Sequence, residues 1–253
     1  METGESAVIR RRCPICLSAR VAQLGVVTGQ RTANRFPLYG CFGCDSMFNP
    51  SGYKENSPGL QNDRDYLVAN SDHHREGMRV LIAELLSRCP GARRLLDIGA
   101  GIGTLMREAV AAGLHAEGVE LNPYAVECGR SEGVEVHCSR FRRGLFPEPF
   151  DIVTCNQVLE HLENPRELFA DAITVVRPGG VLFVSVPFLP QPSAAAMRYA
   201  LSPDEPGSPF FDNDVHITHF SHTGLLTMAR DLGLLDAAFL DQAISGYVFR
   251  IPS

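Results

Sequence analysis

The stretch Leu95-Leu96-Asp97-Ile98-Gly99-Ala100-Gly101-Ile102-Gly103-Thr104 decides the fold. It begins as an apolar run of strand length, breaks into alternating glycines, and resumes as a helix-period pattern through Leu105, Met106, Ala109 and Val110. A buried strand, a glycine turn and a helix opening on that turn leave backbone N–H groups pointing into a crevice, with no Cβ to keep a ligand away. The next strand-like run, Ala116-Glu117-Gly118-Val119-Glu120, ends on a carboxylate one βα unit further on. An acid at that place can grip the hydroxyls of a ribose. At this point a nicotinamide dinucleotide and S-adenosylmethionine (SAM) fit equally well, because both kinds of site use similar glycine spacing.

Two further segments separate them. Phe150-Asp151-Ile152-Val153-Thr154-Cys155-Asn156-Gln157-Val158-Leu159-Glu160-His161-Leu162, followed by Asn164-Pro165, resembles the fourth-strand region of class I SAM-dependent methyltransferases. Arg177-Pro178-Gly179-Gly180-Val181-Leu182-Phe183-Val184-Ser185-Val186-Pro187 resembles their fifth strand and the turn before it. With the glycine loop, the three segments stand in that family's order and spacing, over roughly Arg93 to Arg250. The resemblance implies a doubly wound, mostly parallel seven-stranded α/β sheet. It also implies that Asp97, Gly99, Ala100 and Gly101 hold the amino-acid portion of SAM, that Glu120 takes the ribose hydroxyls, and that Leu121, Phe141, Asn156 and Gln157 complete the cofactor site. Many relatives place an acid at the end of the third strand to accept from the adenine amino group; Ser139 stands there in this chain. Adenine recognition then falls to backbone groups and Phe141.

The chain has 253 residues, enough for one α/β domain and a small appendage. No apolar run reaches the roughly 18 residues of a membrane span. The start, Met1-Glu2-Thr3-Gly4-Glu5, is polar with no apolar signal core behind it, which predicts a cytoplasmic protein without a membrane partner. Net charge is −6, with one lysine and no basic run beyond Arg10-Arg11-Arg12, which argues against a nucleic-acid partner. Residues 1–60 carry seven basic and four acidic side chains, so a front of +3 sits on a body of −9. That front suits an anionic ligand or is simply a solvated surface.

Cys13-Pro14-Ile15-Cys16 and Cys41-Phe42-Gly43-Cys44 are two CxxC knuckles with 24 residues between them. This spacing resembles a zinc ribbon in which Cys13, Cys16, Cys41 and Cys44 surround Zn²⁺. A centre closed by four protein ligands is structural, since no position is left for an activating water. A redox pair is the competing reading of either knuckle alone. Ala22–Thr28 and Arg35–Gly40 read as strands, with Gly29-Gln30 as a hairpin turn. With the following Met47-Phe48-Asn49-Pro50 and Tyr53 and Tyr66, this leader is similar to that of a methyltransferase subgroup associated with sugars, lipids and secondary metabolites.

The chain divides into a zinc-ribbon-like module over 1–50, a linker and lid helix over 51–92, and a transferase domain over 93–253. Met78, Leu81, Ile82, Leu85 and Leu86 place one apolar face on a helix running to about Arg88, with Tyr66 as a lid candidate. Strands are expected near 94–99, 115–120, 134–138, 150–156, 180–186, 236–240 and 244–250, and helices near 103–113, 122–131, 164–176 and 221–232. Residues 187–220, rich in proline and aromatics, read as an acceptor-side insertion.

Methyl transfer to a hydroxyl needs a base, and histidine suits that work near neutral pH. His161, at the end of the fourth-strand segment, and His216 and His219, after the insertion, are the candidates. In some quinone-modifying relatives the Glu-His pair joins a further acid to bind a divalent metal; here Gln157 stands where that acid is expected. Three readings follow: a methyltransferase acting on oxygen or nitrogen of a small molecule, such as a secondary metabolite or sugar; an RNA methyltransferase; and a non-catalytic SAM-binding adaptor.

Overall fold

The computed structural model describes residues 12–29, 34–52, 64–189, 215–241 and 244–253, with side chains of the first helix described from His74 onward. A seven-stranded sheet holds β4 (Arg94–Ile98), β5 (His115–Glu120), β6 (Glu135–Cys138), β7 (Phe150–Asn156), β8 (Val176–Ser185), β10 (Ala237–Leu240) and β11 (Gly246–Arg250) in the order β10-β11-β8-β7-β4-β5-β6. Pairing is parallel from β8 through β6, while β11 runs antiparallel to both β8 and β10. The order reverses between β4 and β7, which is where an open sheet of this kind forms its ligand crevice.

Each face of the sheet has its own helices. Leu81, Ile82 and Leu85 of α1 (Arg64–Arg88) pack with Leu105, Met106 and Ala109 of α2 (Thr104–Ala111), Val126 of α3 (Pro123–Ser131), and Leu95, Ile152 and Phe183 of the strands. The opposite face buries Phe169 and Ala172 of α4 (Pro165–Thr174) and Leu225 and Met228 of α5 (His222–Asp231) against Leu96, Val153, Leu182 and Phe249. The expected elements are all present. β8 starts four residues earlier than expected, at Val176, because a register shift after Phe150 lets Val176 pair across the Arg177-Pro178-Gly179-Gly180 turn. Helix α1 begins at Arg64 and includes Tyr66, whose side chain lies outside the described residues, as do Gln30, Tyr53 and positions 190–214 of the expected insertion.

The amino-terminal segment forms a second sheet in which β1 (Val21–Thr28), β2 (Arg35–Cys41) and β3 (Met47–Phe48) are joined by β9 (Thr218–His219) from the far end of the chain. Met47 pairs with His219 and Phe48 with Thr218. Cys13, Ile15, Cys41, Cys44 and Phe48 lie in the same buried cluster as Phe220, Leu225 and Met228. The cysteine segment thus shares its core with the rest of the chain; a hydrophobic core this small is completed by leaning on α5.

Candidate functional site

The glycine loop closes the β4 end of the crevice. Gly99 and Ala100 N–H both donate to the carbonyl of Val119, which ties the loop to β5. Gly99, Gly101 and Gly103 all adopt positive φ, at 78°, 52° and 78°. At Gly99 a Cβ would run into Val158, whereas at Gly101 nothing stands within 4 Å of where a Cβ would be. The first glycine is required by packing, the second faces open space.

Glu120 sits opposite. Its Oε2 accepts from Gly101 N–H at 3.0 Å, and its Oε1 from Leu121 and Asn122 N–H at 2.6 and 2.8 Å. Three backbone amides thus orient the carboxylate at the carboxyl end of β5, beside the half-exposed side chain of Leu121. Asp97 is placed differently: it is buried between β4 and β7, where it accepts the Thr154 hydroxyl at 2.7 Å, and burial pushes it up to about 6. It braces the strands below the loop.

Two orphaned atoms flank the crevice. Asn156 Oδ1, at the end of β7, and Ser139 Oγ, just past β6, are buried with no partner among the described residues. Buried polar atoms are normally satisfied, so both places suit a polar ligand. Phe141 is packed into the main core, and Gln157, with φ of 56°, turns its amide to Ser185 Oγ at 3.0 Å. These groups fit SAM: amides and Glu120 at one end, Asn156 at the switch point, and Leu121 and Ser139 toward the β6 side.

Beyond β7 the chain enters a 3₁₀ turn, Leu159–His161. His161 Nδ1 lies 2.9 Å from the carbonyl of Val215. A carbonyl only accepts, so Nδ1 carries the proton and the lone pair of the neutral ring lies on Nε2. That Nε2 is 3.9 Å from Glu160 Oε1, and the His161 and His216 rings are 5.0 Å apart. Glu160 is 2% exposed, neither of its carboxyl oxygens has a hydrogen-bond partner among the described residues, and burial pushes it up to about 8. The donor atoms of Glu160, His161 and His216 lie within 4.8 Å of one another, close enough to share a proton or a cation. His219 is not part of this group. It is buried in β9, three residues past His216 along extended chain, which turns it to the other side. The adjacency of Glu160 to His161 is legible in the sequence, but its burial is not.

The four knuckle cysteines converge as expected, with Cys13 and Cys44 sulfurs 3.7 Å apart, Cys16 and Cys41 sulfurs 3.5 Å apart, and all four within 4.8 Å. A tetrahedral zinc with Zn–S bonds of about 2.3 Å needs sulfurs roughly 3.8 Å apart, so the set fits. Gly43 N–H donates to Cys41 Sγ at 3.3 Å. Packed this closely the thiols do not ionise together: the hydrogen bond from Cys13 holds Cys44 down at about 5, while the bond to Cys44 pushes Cys13 up and burial raises Cys16 to about 12.

Comparison with known proteins agrees with this geometry. The family described as "Methyltransferase domain" matches residues 71–236. A ubiquinone biosynthesis O-methyltransferase of Aeromonas salmonicida is 32% identical over 101 residues, 37% of this chain and 42% of that protein. The chain spans about half the length of the curated relatives it matches, 42–52%. Among solved structures, an O-methyltransferase family protein from Burkholderia thailandensis superposes with a TM-score of 0.58 at 19% identity, covering 76% of this chain and 61% of that one. A SAM-bound amino pentose methyltransferase from Micromonospora echinaspora, involved in calicheamicin biosynthesis, gives 0.56 at 18% identity, covering 72% and 96%.

Proposed function

The chain belongs to the methyltransferase domain family, and from that premise we propose that it moves the methyl group of SAM to a hydroxyl oxygen of a small molecule. Bound SAM supplies an electrophilic methyl on a sulfonium, and the protein must align the acceptor and manage its proton. Gly99, Ala100 and Gly101 surround the amino-acid portion with Asp97 bracing the strands beneath them, Glu120 takes the ribose, Leu121 and Ser139 line the adenine side with Phe141 packed behind them, and Asn156 stands toward the methyl beside Gln157, whose amide is held by Ser185. His161 takes the acceptor's proton on Nε2 as the new O–C bond forms. The buried Glu160 lies beside Nε2, and His216 borders the acceptor.

The observation that carries this reading is the His161 ring, held by the Val215 carbonyl in the tautomer of a base and backed by a buried carboxyl. The relatives named as O-methyltransferases support oxygen. We read residues 1–50 as a module closed by structural zinc on Cys13, Cys16, Cys41 and Cys44, residues 51–92 as linker and lid helix, and 93–253 as the transferase domain.

The test is to screen phenols, sugar hydroxyls and amines for formation of S-adenosylhomocysteine, and to repeat the reaction with His161→Ala. Methylated hydroxyl product, lost in the variant, supports the proposal. Methylated amine product with turnover insensitive to the variant selects nitrogen, where proximity alone suffices. Failure of the protein to bind SAM overturns the reading.

A further inference from the structure

A second group of potential ligands lies on β5 and the edge strand β6. His115 and Glu117 on β5 alternate with Ala116, and Glu135 and His137 on β6 alternate with Val136, so all four side chains leave one face. The strands are parallel neighbours in register, with Glu117 opposite Glu135 and Val119 opposite His137. His115 and Glu135 are the first residues of their strands, whereas the glycine loop and Glu120 belong to the carboxyl ends. His137 lies opposite Val119, two residues before Ser139, on the face that turns away from Glu120.

The atoms face one another without hydrogen bonding. His137 Nε2 is 3.8 Å from Glu117 Oε2 and 3.7 Å from Glu135 Oε1. That nitrogen is buried and has no hydrogen-bond partner among the described residues. Its ring is held edge-on against Phe146, with centroids 5.4 Å apart. His115 reaches the outer oxygens of the same two carboxyls, at 3.7 and 3.9 Å. Two bonds of about 2.0–2.2 Å to a shared tetrahedral ion put ligand atoms roughly 3.3–3.6 Å apart; the two His137 contacts exceed this by a few tenths of an ångström, and the donor atoms of Glu117, Glu135 and His137 all lie within 4.8 Å of one another. Arg94 binds Glu117 Oε1 at 2.7 Å but leaves Oε2 turned inward, and Arg94 also pairs with Glu148.

We propose that Glu117, Glu135 and His137, with His115 as the outer member, form a site for a divalent transition-metal cation that pins edge strand β6 to β5. One imidazole with two carboxylates suits zinc and neighbouring first-row ions rather than calcium or magnesium, which prefer all-oxygen sites. The ion would be separate from both the four-cysteine centre and the group around His161.

The experiment titrates zinc into full-length protein whose resident metal has first been measured by elemental analysis. Wild type, His137→Gln, the double variant Glu135→Gln/His137→Gln, and His161→Gln are compared by calorimetry and thermal unfolding. Calorimetric binding of S-adenosylhomocysteine reports that each is folded. The site predicts one further zinc equivalent in wild type and in His161→Gln, a thermal midpoint raised by that zinc, at least about tenfold weaker binding in His137→Gln, and loss of both effects in the double variant. Equal stoichiometry and affinity in wild type and the folded double variant would overturn it. So would loss of the extra equivalent in His161→Gln alone, which would assign the ion to the other group.

Discussion

The hydroxyl of Ser221 donates to the carbonyl of Cys44 and at the same time accepts the N–H of Gly224 at 2.8 Å. One side chain is thus both the amino-terminal cap of α5 and a brace on the second cysteine knuckle. Ser46 joins it, accepting Ser221 N–H at 3.1 Å. Two residues upstream, β9 is paired to β3. The cysteine module and the segment that carries His216 are held by the same contacts.

Cys41→Ser should therefore do more than empty the proposed zinc centre. With the knuckle cysteines in the main core, zinc loss is expected to lower the stability of the whole chain in a single unfolding transition and to raise hydrogen exchange over residues 215–222. Zinc content, calorimetric unfolding and amide exchange check this. A lost zinc that leaves exchange over 215–222 unchanged would contradict the coupling.

Ser221→Ala removes the cap and leaves polar groups around Cys44 and Ser46 short of a partner. A lost cap costs about 0.5–2 kcal/mol, and the unsatisfied groups add to it, so a loss near or above about 2 kcal/mol is expected in denaturant unfolding. A value below about 0.5 kcal/mol would mean the Cys44 contact contributes nothing.

The two loop glycines should respond differently. Gly101→Val keeps the fold, at a strain of about 1–2 kcal/mol for its positive φ, but puts a branched side chain into the space proposed for SAM; binding should vanish in calorimetry. Gly99→Ala strikes Val158, so it should destabilise the protein even without cofactor. Undiminished SAM affinity in Gly101→Val would remove the cofactor from this loop.

If the acceptor is a hydroxyl, His161→Ala should lower turnover by about 10²–10⁴-fold with SAM affinity nearly unchanged. His219→Ala should instead act on stability, because that side chain is buried in β9. Turnover and SAM binding measured side by side on both variants distinguish a base from a packing residue.

Glu160 is raised from 4.5 to about 8 and Asp97 from 3.8 to about 6, in both cases chiefly by burial. The folded state holds these protons more tightly than the unfolded state does, so their contribution is fully present below pH about 4 and is lost as pH rises through the folded values. Stability attributable to them should fall between pH about 4 and 8. Glu160→Gln should flatten the upper part of that fall, from about 6 to 8, in denaturant midpoints measured against pH. An unchanged slope in the variant would show that Glu160 titrates elsewhere.

The features legible in the sequence are those carried by short-range pattern. Alternating glycines after an apolar run specify a strand–turn–helix, because positive φ at Gly99, Gly101 and Gly103 is open to few other residues. Apolar periodicity placed the seven strands and the helix face through Leu81 and Leu85, and two CxxC pairs placed the cysteine centre. What the tertiary structure decided is long-range. The two-residue strand Thr218–His219 has no signal of its own and exists only because Met47 and Phe48 offer it a pairing edge. That pairing buries His219 away from His161, while the bond from Ile217 N–H to the Glu160 carbonyl brings His216 alongside. Asp97 is legible as a strand-end acid of the cofactor site and Glu160 as the neighbour of His161, but only their removal from water, by elements distant in sequence, gives them raised proton affinities. Spacing records which neighbours a backbone can reach locally, whereas burial and partner choice depend on surfaces that meet only after folding.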